Sequence, residues 1–204
     1  MRRRRIYIWG TALVAIGWAA VVALGVRGLL DYESAPGRVA EVPKAWPTST
    51  VELAPDRPTL VMLAHPHCPC TRASVSELAE LMAKIDGKIV AYVLFSKPAD
   101  AGEDWNDTGL RRSAAAIPGV TVLSDPDGAE ARRFGAETSG HTLLFAADGS
   151  LLFSGGITQS RGHAGDNAGA SAIVSLVHNR VAPRNETFVF GCALPTAPAA
   201  VASR

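Results

Sequence analysis

Residues 59–72 read Thr-Leu-Val-Met-Leu-Ala-His-Pro-His-Cys-Pro-Cys-Thr-Arg and contain two of the chain's three cysteines and two of its five histidines. The apolar run Thr59–Ala64 predicts a buried strand. In 73–85, Val75, Leu78, Met82 and Ile85 recur at helical spacing. Cys68 and Cys70 therefore fall on a strand-to-helix turn, where the helix dipole and unpaired backbone N–H groups favour a thiolate. Such a position points to redox or metal chemistry. Two histidines and two prolines around the thiols argue against an inert core pair.

Upstream, residues 2–5 are four arginines, and 6–26 follow without a charged side chain. Twenty-one such residues at about 1.5 Å each match a bilayer core of roughly 30 Å. The run exceeds the roughly 7–15 apolar residues of a cleavable signal. With the arginine block held in the cytoplasm, residues 1–30 are expected to be a single-pass inner-membrane anchor. The rest would then face the periplasm or cell exterior. Fifteen basic and all nineteen acidic residues lie beyond residue 30, a net of about −4 with no basic run. That balance excludes a nucleic-acid partner.

The stretch 31–58 carries Pro36, Pro43, Pro47, Pro55 and Pro58 and reads as a partly extended, semi-rigid stalk. Its end is expected to meet the domain, since Trp46 and Val51 need apolar cover. From residue 59 the pattern alternates. A strand over 88–95, a helix over 106–116, a strand over 120–124 and a helix over 128–134 follow the first pair. Apolar runs at 141–146 and 151–154 flank Ala147-Asp148-Gly149-Ser150, a hairpin signal. A last helix is expected over 168–181, and the Ala/Pro/Ser-rich 195–204 is expected to be disordered. This order implies an α/β domain over 59–194, a three-layer sandwich with a mixed central sheet.

Three stretches carry a family resemblance: LVMLAHPHCPCTRAS (60–74), VLSDPDGAEARRFGA (122–136) and HTLLFAADGSLLFSGGI (141–157). In order and spacing they resemble the thioredoxin-like superfamily, nearest its TlpA, peroxiredoxin and Sco branches. The arginine-led anchor, HPHCPC and the late Phe190-Gly191-Cys192 also resemble small bacterial proteins labelled RedB. The resemblance implies a thiol–disulfide oxidoreductase that needs no cofactor. Its partners would be protein thiols or disulfides and a membrane redox protein. Carried over from the thioredoxin turn, Cys68 is the attacking thiolate and Cys70, one residue closer than usual, resolves the mixed disulfide. His67 stands where the family has tryptophan. A C-x-C disulfide closes a small, strained and easily reduced ring. His141 occupies the place of the family's cis-proline. That substitution resembles the Sco copper site, with Cys68, Cys70 and His141 as a soft two-sulfur, one-nitrogen ligand set. A third reading is a thiol peroxidase, because Cys70-Thr71-Arg72 resembles peroxiredoxin sequence, although His67 stands where that family has threonine.

His65 and His67 are each a candidate ligand or thiol-activating base. Cys192 is open to three readings: a resolving thiol, a third metal ligand or an unused thiol. The Gly-rich 161–167 reads as a lead-in to the last helix, with Asp166 or Asn167 as its cap.

Overall fold

The computed structural model describes residues 2–194; the 195–204 segment, expected to be disordered, lies outside the described residues. Two units are distinct, one ending at Ala35 and one beginning at Pro36. The first is a single helix, α1 (Arg2–Ser34), within which Trp9–Ser34 is long and apolar enough to cross a membrane, with a mean hydropathy of 2.1. Helical geometry thus runs eight residues past the apolar run at 26, through Arg27 and Asp31, an i,i+4 ion pair at 3.8 Å.

The second unit is an α/β sandwich with the element order that the thioredoxin-like resemblance implied. Its elements are β1 (Thr59–Ala64), α2 (Pro69–Ile85), β2 (Val90–Lys97), α3 (Gly109–Ala115), β3 (Val120–Pro126), α4 (Ala129–Arg133), β4 (His141–Phe145), β5 (Leu151–Gly155) and α5 (Ala168–Val177). A 3₁₀ turn over Glu103–Asn106 takes the start of the helix expected at 106. Thr108 then caps the shorter α3 by accepting from the Arg111 N–H. The sheet order is β3-β2-β1-β4-β5, with β1, β2 and β3 parallel and β4 and β5 antiparallel to their neighbours. β1 is central and fully buried, as its unbroken apolar run requires.

Period-two alternation in β1 divides the core. Leu60, Met62 and Ala64 join Val75, Leu78, Leu81 and Ile85 of α2 and Ile173 of α5 on one face. Val61 and Leu63 join Leu143, Phe145, Phe134 and Val51 on the other. That second face has only the five-residue α4 as a helix, so other chain must cover it. The Pro-rich stretch does so. Gly37 N–H donates to the Val189 carbonyl at 2.7 Å, Ala40 N–H to Gly135 and Trp46 N–H to Gly149. The Trp46 ring packs edge-on against Phe134 (5.3 Å) and Phe145 (5.1 Å). Residues 36–53 are therefore part of the domain, where a stalk meeting it only at its end was expected. The apolar surface left bare by a short α4 is the physical reason.

Candidate functional site: three thiols at a helix N-terminus

β1 ends at Ala64, and His65-Pro66-His67 turns the chain so that Cys68 is the N-cap of α2 and Pro69 its first residue. Proline suits that place, because its missing N–H would be unpaired there anyway. Cys68 is 3% exposed, whereas Cys70 and Cys192 are half-buried. The Cys68 and Cys192 sulfurs lie 2.8 Å apart, across 124 residues of sequence. None of the three cysteines is joined in a disulfide. The structure thus brings Cys192 to the turn that holds Cys68 and Cys70.

What delivers Cys192 is the segment 185–194, which runs beside β5 and then crosses to the loop before β4. Ser154 N–H donates to Asn185, and Thr187 N–H returns a bond to Ser154. Farther along, Ser139 N–H donates to the Cys192 carbonyl at 2.8 Å, and Leu194 N–H to Glu137 at 2.9 Å. These two bonds flank an antiparallel bridge between Thr138 and Ala193. Gly191 permits the approach, since a Cβ there would lie 2.0 Å from the Ser139 carbonyl oxygen.

A polar chain supports the Cys68 sulfur. His65 N–H donates to Ser139 Oγ at 2.7 Å, and Ser139 Oγ lies 2.6 Å from Thr71 Oγ1. Ser139 and Thr71 are both buried. Either hydroxyl of the Ser139–Thr71 pair can be the donor between them, which leaves Thr71 free to turn its proton toward Cys68. Burial works against a Cys68 thiolate. Hydrogen bonds from the Cys192 thiol, the Thr71 hydroxyl and both backbone N–H groups outweigh it, so the Cys68 pKa is lowered. Burial and then the proximity of Cys68 raise the Cys70 pKa. Burial and donation to Cys68 push Cys192 up to about 12. One thiol is prepared to ionise, and its two neighbours keep their protons for it.

Arg161 is the residue that the sequence reading passed over. Its guanidinium donates to the Gly191 carbonyl, and its charge draws the Cys70 and Cys192 pKa values partly back down. The loop that carries it is tied to α2 by Glu77, which accepts from Gly165 N–H (2.6 Å) and Asn167 Nδ2 (2.9 Å). Asn167 caps α5, as one of the two expected candidates. No motif marks Arg161, since only the returning segment gives it a role.

His67 stacks edge-on against Trp105 (4.6 Å), and His65 closes the group at 5.9 Å from each ring. Burial, and then the charge of His67, lower the His65 pKa. Trp105 is held by donation to the Ser96 carbonyl at 3.0 Å. A tryptophan from the 3₁₀ turn thus lies beside the two histidines of the turn. A cavity of about 400 Å³ opens beside Cys68, bounded by His67, Arg72, Val75 and Leu110.

His141 is not brought to the thiols. It alternates with Leu143 and Phe145, so its ring takes the sheet face opposite α2. There it is fully buried, and Nε2 lies 2.8 Å from Ser154 Oγ. Burial lowers its pKa to about 4. Among the described residues no three His, Cys, Asp or Glu side chains are grouped to hold a metal ion. The Cys68–Cys70–His141 copper set is therefore not assembled. The register of β4, not the residue type at its start, decides this.

No family model and no curated protein matches the chain. Among solved structures, it resembles an uncharacterized conserved protein from Geobacillus kaustophilus, with 18% identity and a TM-score of 0.59, covering 82% of this chain and 95% of that one. It also resembles a hypothetical protein from Sinorhizobium meliloti, with 16% identity and a TM-score of 0.58, over 81% and 96% of the two chains. A secreted Mycobacterium tuberculosis disulfide oxidoreductase homologous to E. coli DsbE superposes at a TM-score of 0.37, with 19% identity over 47% and 66%. At these identities the likeness to the first two concerns the fold alone.

Proposed function

We propose that the protein is a membrane-anchored thiol–disulfide oxidoreductase whose domain works outside the cytoplasmic membrane of a bacterium. The observation that carries this is the Cys192 thiol seated 2.8 Å from an N-capping Cys68 whose acidity is enhanced. Such an arrangement suits exchange of sulfur–sulfur bonds, which needs one thiolate and a second thiol within reach of the mixed disulfide.

In the proposed cycle the Cys68 thiolate attacks a substrate disulfide. One substrate sulfur leaves as a thiolate, and the other stays bonded to Cys68. Cys70 loses its proton and attacks the Cys68 sulfur, which releases the second substrate thiol and leaves a Cys68–Cys70 disulfide. That ring is strained. Cys192 then attacks the same Cys68 sulfur, frees Cys70 and leaves Cys68–Cys192. The substrate gains two electrons and two protons, and the protein's thiols lose them. A dithiol of a membrane redox partner restores the reduced state by the reverse exchange. His67 lines the approach to Cys68 beside Trp105. Arg161 stabilises whichever of Cys70 or Cys192 is the transient thiolate.

The test uses the full chain in detergent micelles, reduced anaerobically and given one equivalent of insulin. Acid quenching, alkylation and peptide mapping then identify the disulfide formed. The parent accumulates Cys68–Cys192, Cys192→Ser accumulates Cys68–Cys70, and Cys68→Ser leaves insulin oxidised. Insulin reduction by Cys68→Ser at the parent's rate overturns the proposal.

A further inference from the structure

We infer that the 190–194 segment occupies the seat of the substrate peptide, and that the protein recognises extended peptides of the form Gly-Cys-x-apolar. The inference rests on the oxidoreductase reading and names its substrate class. Residues 191–194 are not packed as a loop packs. They run extended and antiparallel to 137–139, add a short strand to the loop before β4, and place a cysteine on the reactive sulfur. This is recognition by strand addition, in which main-chain bonds hold the peptide and alternate side chains set its specificity.

Apart from the Cys192–Cys68 sulfur contact, the polar contacts that seat the segment use its backbone. Ser139 N–H donates to the Cys192 carbonyl, Leu194 N–H donates to Glu137, and Arg161 donates to the Gly191 carbonyl. Any peptide can offer those atoms. Two positions discriminate. Before the cysteine a Cβ would lie 2.0 Å from the Ser139 carbonyl oxygen, so glycine is required. Two residues after the cysteine, Leu194 is 5% exposed and packs into the core cluster with Leu63, Leu143 and Ala131, so a large apolar side chain is favoured. The position between, Ala193, is exposed and tolerant.

The segment is tethered, so its effective concentration at the seat far exceeds that of a free peptide. A substrate peptide therefore enters only when the segment lifts. While it is out, Cys192 is away from Cys68, and Cys70 on α2 is the thiol left to resolve the mixed disulfide. Seating and resolution by Cys192 thus follow the release of substrate.

The experiment uses full-length protein in micelles, in a Cys70→Ser background so that captured peptide persists. The probe is the capped peptide Phe-Gly-Cys-Ala-Leu with its cysteine linked to 5-thio-2-nitrobenzoate. Attack by Cys68 on the peptide sulfur releases the coloured thiolate one for one. Gly191→Val unseats the segment, and Leu194→Asp unseats it by a second route. Each is expected to raise the rate of thiobenzoate release at least about tenfold, the factor that loss of roughly 1.4 kcal/mol of seating corresponds to. With the seat vacant, peptides carrying Val before the cysteine or Asp two after it are expected to react about tenfold more slowly than the parent peptide. Equal rates for all three peptides in both unseated variants overturn the recognition rule. If no peptide releases thiobenzoate through Cys68 in any variant, the oxidoreductase reading itself fails. If unseating leaves the rate unchanged while the peptide preference persists, the segment does not occupy the substrate seat.

Discussion

Replacing Ser139 by alanine tests the polar chain behind Cys68 most directly. Ser139 Oγ accepts from His65 N–H at 2.7 Å and lies 2.6 Å from Thr71 Oγ1, with Ser139 and Thr71 buried and His65 half-buried. Removing the oxygen leaves the His65 N–H without its partner at the end of β1. An orphaned buried donor costs about 1–3 kcal/mol. For a domain of this size, each kcal/mol lowers Tm by about 2–4 °C, so a fall of roughly 2–12 °C is expected. The second effect is electronic. Thr71 loses the hydroxyl partner that holds it beside the sulfur. The Cys68 pKa should then move up toward that of an ordinary thiol. Thermal unfolding and the pH dependence of Cys68 alkylation, both on the full chain in micelles, read the two effects separately. Thr71→Val should shift the alkylation profile in the same direction. It should leave Tm less affected, because Ser139 still accepts from His65. A Ser139→Ala protein within about 0.5 kcal/mol of the parent, the scatter of surface substitutions, with an unchanged alkylation profile would refute the reasoning.

His141 makes stability depend on pH. Its folded pKa of about 4 lies below the ordinary 6.5, so its contribution is full above 6.5 and is lost as pH falls toward 4. His141→Gln should flatten denaturant-derived stability between those limits by up to about 3 kcal/mol, and an unchanged slope would count against burial of the neutral ring. Trp46→Ala should cost about 2–4 kcal/mol, below the ~3–5 of a fully buried tryptophan because this ring is half-buried; urea unfolding measures it, and a loss under 1 kcal/mol would mean that the 36–53 segment is not anchored by that ring. A reporter active only in the cytoplasm, fused after residue 204, should be silent if the arginines at 2–5 stay inside. Reporter activity would reverse the proposed orientation.

Local signals reached the core of the fold but not its closure. The apolar run 59–64 is β1 from end to end, and Asp148-Gly149 between apolar runs marked the β4–β5 hairpin. The placing of Cys68 at a helix start was also legible, because a strand pattern changes to a helical one across six residues. Packing of 36–53 was not, since nothing in a proline-rich stretch says that α4 will be five residues long and leave Phe134 and Phe145 uncovered. The direction of His141 was half legible. Its alternation with Leu143 and Phe145 is in the sequence, but which face α2 covers is a property of the assembled sheet. Ser139 and Arg161 had no signal at all. Each acquires its role only when residues far away in the chain arrive: the turn at 65–71 and the segment at 191–192.

The 124-residue separation of Cys68 and Cys192 sets an order of events during folding. A Cys68–Cys70 bond closes almost no loop and is available as soon as the first strand and helix meet. A Cys68–Cys192 bond must wait for the whole sheet and the returning segment, because closing so long a loop without a formed fold carries a large entropy cost. Within the proposed chemistry, the first bond is the kinetic product of an unfinished chain, and the second belongs to the finished domain. Once formed, the long link restrains the unfolded chain by an amount near the ~4.7 kcal/mol of a 100-residue loop. Oxidation would therefore act as a lock on maturity, and reduction would return the domain to a looser condition in which it can receive a substrate.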